Sequence, residues 1–219
     1  MGTLPFCSGP LGEAKVLVIG HDPRLARSAT RAPYAFFGDM FFREIPTKRS
    51  ELAKYRLAET VYGYIAHLTS YRFRADEIVL TNLCNDHLPP APKGRTVLIP
   101  REKAEVGIHE INDLLAQSRP KLIFAMPQQV NYWLQALRFC APDLSFLERA
   151  EPKGRGLHHS QPYYEPKGGR AFQLICGRRF ETAGGDTLYA ILHVKNWPLK
   201  ESFLEAYSDA YRRLVNDLK

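Results

Sequence analysis

The chain has 219 residues, 45% hydrophobic and 11% aromatic, which is apolar material for one sizeable core and too little length for two ordinary domains. The aromatic content argues against disorder, and 24% charged residues is a usual globular share. Thirty Lys and Arg against 23 Asp and Glu leave a formal charge of +7, an excess that suits a polyanionic partner through counterion release.

The N-terminus carries no basic-then-apolar leader, and no apolar run reaches about 18 residues, so a cytoplasmic protein without a membrane span is expected. The first strand signal is KVLVI (15–19), which stops at Gly20 and passes straight into His21, Asp22, Pro23 and Arg24. A helical pattern fills 50–68, where Leu52, Tyr55, Val61, Ile65 and Leu68 recur near the helical period and Ser50 can serve as the cap. EIVLT (77–81) reads as a second strand, 104–117 as a helix closing before Pro120, KLIFA (121–125) as a third strand, and 128–139 as a helix.

Segment 150–187 breaks this rhythm. It is rich in Arg, Lys, Gly and Tyr, includes a strand-like AFQLIC (171–176) and a turn AGGD, and reads as a basic insertion covering one edge of the site or lying along a ligand. LYAIL (188–192) is the fourth strand, and 200–218 carries one apolar stripe on a polar helix. Strands without alternation suit a parallel sheet buried on both faces. The expected architecture is α/β: a single domain over 1–219, a three-layer α/β/α sandwich around a mainly parallel four-stranded sheet.

In an open parallel sheet, ligands bind beyond the carboxyl ends of the strands. Here each strand ends in polar residues: His21 and Asp22 after the first, Asn82 and Asn85 after the second, Gln128 after the third and His193 after the fourth. Turn and cap chemistry explains any one of these; four together point to a shared cleft. The four cysteines, Cys7, Cys84, Cys140 and Cys176, form no C-x-x-C pair and read as reduced thiols. Cys84 and His87 lack a second ligand pair, and the adjacent His158 and His159 suit a solvated loop, so no metal site is expected.

The ordered set of motifs resembles the uracil-DNA glycosylase superfamily. VLVIGHDPR is similar to its G-Q-D-P-Y motif, IVLTNLCNDHLPPAPKGR to its strand, asparagine and proline-rich loop, SRPKLIFAMPQQVNYWL to the following strand and helix, and ILHVKNWPL to its H-P-S-P-L motif. The resemblance covers most of 15–200 and is nearest to the thermophile-type branch. It implies that Asp22 positions or activates water and stabilises the positive sugar, that Asn82 reads the pyrimidine edge beside His21, and that His193 sits near the base O2. An aromatic following the first motif stacks on the flipped base: Phe36 and Phe37 are the candidates, with Phe41 and Phe42 close by.

An oxocarbenium-like sugar and a departing base reward a carboxylate below the sugar and a donor at the base oxygen, which suits Asp22 and His193. Pro23 can hold the Asp22 loop rigidly. Arg24, Lys195, Trp197 and Leu199 beside the motifs, with Arg155 and Arg170 in the basic stretch, are the DNA-binding candidates; Trp197 and Leu199 could wedge beside a flipped nucleotide. Trp133 reads as core. The sequence departs from the family in Val-Lys-Asn after His193, in Arg24 after the proline, and in lacking the N-terminal cysteines of an iron–sulfur cluster. The expectation is a monomeric, cofactor-free glycosylase acting on DNA; a catalytically silent nucleic-acid or nucleoside binder and an enzyme of free nucleosides are the alternatives.

Overall fold

A computed structural model describes residues 2–21, 33–88, 97–150, 169–198 and 201–219, with the backbone alone at 169–170 and 201–206. Its strands are β1 (Val16–Gly20), β2 (Ile78–Asn82), β3 (Leu122–Ala125), β4 (Arg179–Glu181) and β5 (Thr187–Ala190). The helices are α1 (Arg49–Leu68), α2 (Arg101–Ser118), α3 (Gln128–Ala136), α4 (Leu144–Ala150), α5 (Gly169–Gln173) and α6 (Glu201–Asp217).

The five strands form one sheet in the order β2-β1-β3-β5-β4, parallel except for β4. Every residue of β1, β2 and β3 is buried, which is what unbroken Val, Ile and Leu runs produce when both faces of a parallel sheet are covered. Helix and strand alternate along the chain, consistent with a three-layer sandwich. Tyr64 of α1 stacks with Tyr211 of α6, ring centroids 6.2 Å apart, which joins these two helices.

Register fixes where the strands end. Val16 pairs with Ile78 on one side and with Leu122 on the other, and Leu122 in turn pairs with Thr187, so the four parallel strands start level and finish level. The carboxyl ends therefore lie in one row.

The N-terminal segment adds a support that composition and periodicity did not reveal. Phe6 exchanges two 2.9 Å backbone hydrogen bonds with Leu80, and Leu4 bridges to Pro33 and Ala35, both at 2.9 Å. One short extended stretch thus ties the β2 edge to the 3-10 segment Ala35–Phe42. Phe41 and Phe42 turn into a cluster with Phe6, Tyr34 and Tyr62, the Phe41 and Tyr62 centroids 4.6 Å apart.

Three sequence expectations need correction. AFQLIC is no strand: Ala171, Phe172, Ile175 and Cys176 are buried while Gln173 is exposed, a helical spacing, and the stretch forms α5 and a turn. The sheet has five strands because Arg179–Glu181 doubles back on β5 through the AGGD turn. Ser50 does not cap α1, which opens at Arg49 after Lys48 and has no side-chain cap. Of the stretch 150–187, residues 151–168 lie outside the described residues, and from Gly169 on it builds α5, β4 and the hairpin.

Helix α2 lies hard against the segment that follows β2. A Cβ at Gly107 would fall on the Leu83 carbonyl oxygen, a backbone atom with no side chain to swing away. Replacing Gly107 with Ala is expected to lower stability by about 1–3 kcal/mol in urea titration, the cost of overpacking a filled contact. Wild-type stability in that variant would show that α2 can stand off from β2.

Candidate functional site

The parallel ladder continues past the ends of β1 and β2. Leu83 donates to the Gly20 carbonyl at 2.8 Å and Cys84 to the His21 carbonyl at 3.1 Å, while Met126 donates to Ile19 and Ile191 to Ala125, each at 2.9 Å. These bonds hold His21 and Asn82 side by side on neighbouring strands, both buried, at 8% and 3% exposure. His193 follows β5. Three strand spacings of about 4.8 Å separate β2 from β5, so Asn82 and His193 flank the row of strand ends with His21 between them.

Gly20 is the pivot of this arrangement. The site where its Cβ would stand is occupied by the edge of the Phe36 ring and, at 2.6 Å, by Asn82 Oδ1. The ring edge and the amide oxygen therefore both border the space left by a residue that has no side chain. Asn82 Nδ2 is buried and finds no hydrogen-bond partner among the described residues. A buried amide N–H left unpaired costs on the order of 1–3 kcal/mol, which a ligand acceptor in its plane recovers.

Phe36 and Phe37 both have left-handed backbones, at φ 55° and 54°. Consecutive bulky residues in this region store strain, which the Leu4 bridge and the packing of Gly38 against Phe6 and Leu80 hold in place. The conformation sends the two rings different ways. Phe36 is half-buried against Gly20 and Asn82, whereas Phe37 lies with Lys54, whose Nζ is 5.6 Å from the ring centroid, beside Asp39 and Arg43. Phe36 thus borders the same space beside Gly20 as Asn82 Oδ1.

His193 caps the 3-10 turn Val194–Asn196, its Nδ1 accepting from the Lys195 backbone N–H at 3.0 Å. In the neutral ring this places the proton on Nε2 and makes that nitrogen the donor. Lys195 itself is exposed. Trp197 is half-buried, stacked 5.0 Å from Tyr64 and 4.5 Å from His67, so its ring is engaged with α1. Asp22, Arg24, Arg155 and Leu199 lie outside the described residues, as does the side chain of Arg170. Of the other basic residues in that stretch, Arg178 is paired with Asp143 at 3.1 Å and Arg179 donates to Thr187 Oγ1 at 3.3 Å, both within the fold.

Residues unmarked by sequence reasoning hold the far side of the site. Gln128 drew notice, but its neighbours do the bonding: Gln129 Oε1 accepts from the Ile99 N–H at 2.5 Å and its Nε2 donates to the Val97 carbonyl. Asn131 Nδ2 donates to the carbonyls of Ala125 and Pro127 at 2.8 and 3.0 Å. Both side chains are buried on α3, and Asn131 fixes the turn after β3. Four amide residues in one short helix, Gln128, Gln129, Asn131 and Gln135, were the available signal. Trp133 is core, at 4% exposure.

The four cysteines are unbridged, and burial pushes the Cys140 and Cys176 thiols up to about 12, so both are neutral at physiological pH and unsuited to nucleophilic roles. Among the described residues no group of three or more His, Cys, Asp and Glu is placed to hold a metal ion, and no helix is long and apolar enough to cross a membrane. No protein-family model matches the chain, and no curated protein matches it either.

The crowding at Gly20 has a measurable signature. Gly20→Ala should cost about 1–3 kcal/mol in the otherwise native chain. The same change in a Phe36→Ala background should cost at least about 0.5 kcal/mol less, because the ring that the methyl strikes is gone. Additive losses in this double-mutant cycle would separate the ring from Gly20.

Proposed function

We propose that the chain is a DNA glycosylase, hydrolysing the N-glycosidic bond of uracil or a related damaged base turned out of DNA. The supporting observation is that the Phe36 ring and the Asn82 amide both border the space beside the bare Gly20 at the carboxyl ends of β1 and β2. A flat ring beside a buried, unpartnered amide N–H suits a planar heterocycle with an in-plane acceptor, and a pyrimidine has both properties. The order of the motifs along the chain and the +7 charge support the same reading.

In this mechanism the target base stacks on Phe36 and Asn82 pairs with its edge. As the bond from C1′ to the base N1 lengthens, its electron pair passes to the base and negative charge grows on the pyrimidine oxygen. His193 Nε2–H donates to that oxygen as the charge forms, its tautomer set by the Lys195 N–H. Asp22, which follows His21 directly in the sequence, stabilises the cationic sugar and accepts a proton from the water that adds to C1′. The base anion takes up one proton at N1 and Asp22 returns its own to solvent, so that the products are free base and an abasic site. Arg24, Lys195, Arg155 and Arg170 hold the phosphate backbone in this reading, Leu199 wedges beside the flipped nucleotide, and Trp197, stacked on α1, braces the turn that carries His193.

A single-stranded oligonucleotide with one labelled uracil tests the proposal directly: free uracil is the expected product. Saturable, salt-sensitive DNA binding without release would leave a silent nucleic-acid binder on the same fold. Given activity, Asp22→Asn should keep DNA affinity and lower turnover by on the order of 10² or more. His193→Ala should lower turnover far more than it weakens binding of intact DNA, since its hydrogen bond belongs to the transition state. Equal losses in binding and turnover would remove that role. Replacing Arg155 and Arg170 with Ala should flatten the slope of log affinity against log salt by about 2 if each meets one phosphate.

A further inference from the structure

A groove of about 710 Å³ lies beside the edge of β2, where the N-terminal stretch crosses the loop after that strand. Its apolar wall is made by Leu4, Pro5, Pro33 and Leu114, and Leu4 stays 59% exposed, a large hydrophobic side chain left open to solvent. Its polar side is acidic, with Glu110 and Asp113 on α2 and Asp86 on the loop. Lys103 neutralises Asp86 at 2.6 Å, and Asp113 has His109 at 3.8 Å. On a chain of net charge +7 this is a local reversal of sign.

Two oxygen atoms in the groove wall point to the kind of guest it takes. Asn85 Nδ2 donates to Glu110 Oε2 at 2.7 Å, which fixes the orientation of the amide; its Oδ1 is then a buried acceptor with no partner among the described residues. Thr3 is 3% exposed and held by its N–H to the Asn85 carbonyl at 2.7 Å, and its hydroxyl likewise finds no partner among the described residues. Unmet oxygens beside Glu110, whose partner is a neutral amide, and Asp113 call for a donor-rich, positively charged head. The Leu4 and Leu114 side calls for an apolar body.

We infer that this groove binds a small organic cation, an ammonium or guanidinium head carried on an apolar body, with the head at Glu110, Asp113 and Asn85 and the body against Leu4 and Leu114. The site stands apart from Asn82 and Phe36 and does not depend on the glycosylase reading. An acidic groove repels phosphate, so a nucleic acid does not lie along it.

Benzylammonium, titrated into the full chain at moderate salt and followed by protein NMR, tests this, with benzyl alcohol as the neutral isostere. The expected result is saturable one-to-one binding of the ammonium, at least tenfold tighter than that of the alcohol, with perturbed amides clustering at residues 2–5 and 110–117. Glu110→Gln with Asp113→Asn should weaken the ammonium at least tenfold. Leu4→Lys, a change at an exposed position that sets an ammonium in the groove, should block it independently. Equal affinity for alcohol and ammonium, binding unchanged in these folded variants, or no saturable binding at all would overturn the inference.

Discussion

Gly20 is where the strand order, the aromatic segment and the polar residues meet. Because it carries no side chain, the Phe36 ring can reach over the end of β1 into the space that the side-chain oxygen of Asn82, its register partner on β2, also borders. That approach requires a support on each side. The N-terminal bridges at Leu4 and Phe6 hold the strained Phe36–Phe37 backbone, and Gly107 lets α2 press on Leu83, the residue that follows Asn82 at the end of β2. The site is thus a product of close packing around two glycines and not of a loop draped over a finished core.

Much of this was legible in the sequence because the strands are short, apolar and separated by helical periods. Runs such as VLVI and IVLT leave little choice but a buried parallel sheet, and the residues at their ends follow at once. The stretch AFQLIC was misread because six mostly apolar residues fit strand and helix alike; only the burial of Phe172, Ile175 and Cys176 on one side decides between them. That Phe36 and Phe37 point different ways lay beyond sequence reasoning for a physical reason. Two adjacent phenylalanines differ only in direction, and direction here is set by two left-handed φ angles stabilised through contacts distant in the chain. The same holds for Leu4, Phe6 and Gln129, whose bonds reach across about 30 residues or more.

Charge is divided over the surface. Two basic residues of the stretch that sequence reasoning gathered are paired within the fold, Arg178 with Asp143 and Arg179 with Thr187. The acidic wall of α2 faces the groove at the β2 edge.

The central claim is that Asn82 and Phe36 together receive a pyrimidine ring. The most direct measurement is the side-chain amide resonance of Asn82 in a ¹⁵N-labelled chain, identified by its loss in Asn82→Ser and followed during titration with free uracil. The account predicts a saturable downfield shift of the Nδ2 protons, as the amide finds its missing acceptor, accompanied by upfield ring-current shifts of the uracil H5 and H6 that weaken in Phe36→Leu. An Asn82 resonance that stays fixed while uracil saturates other residues would contradict it.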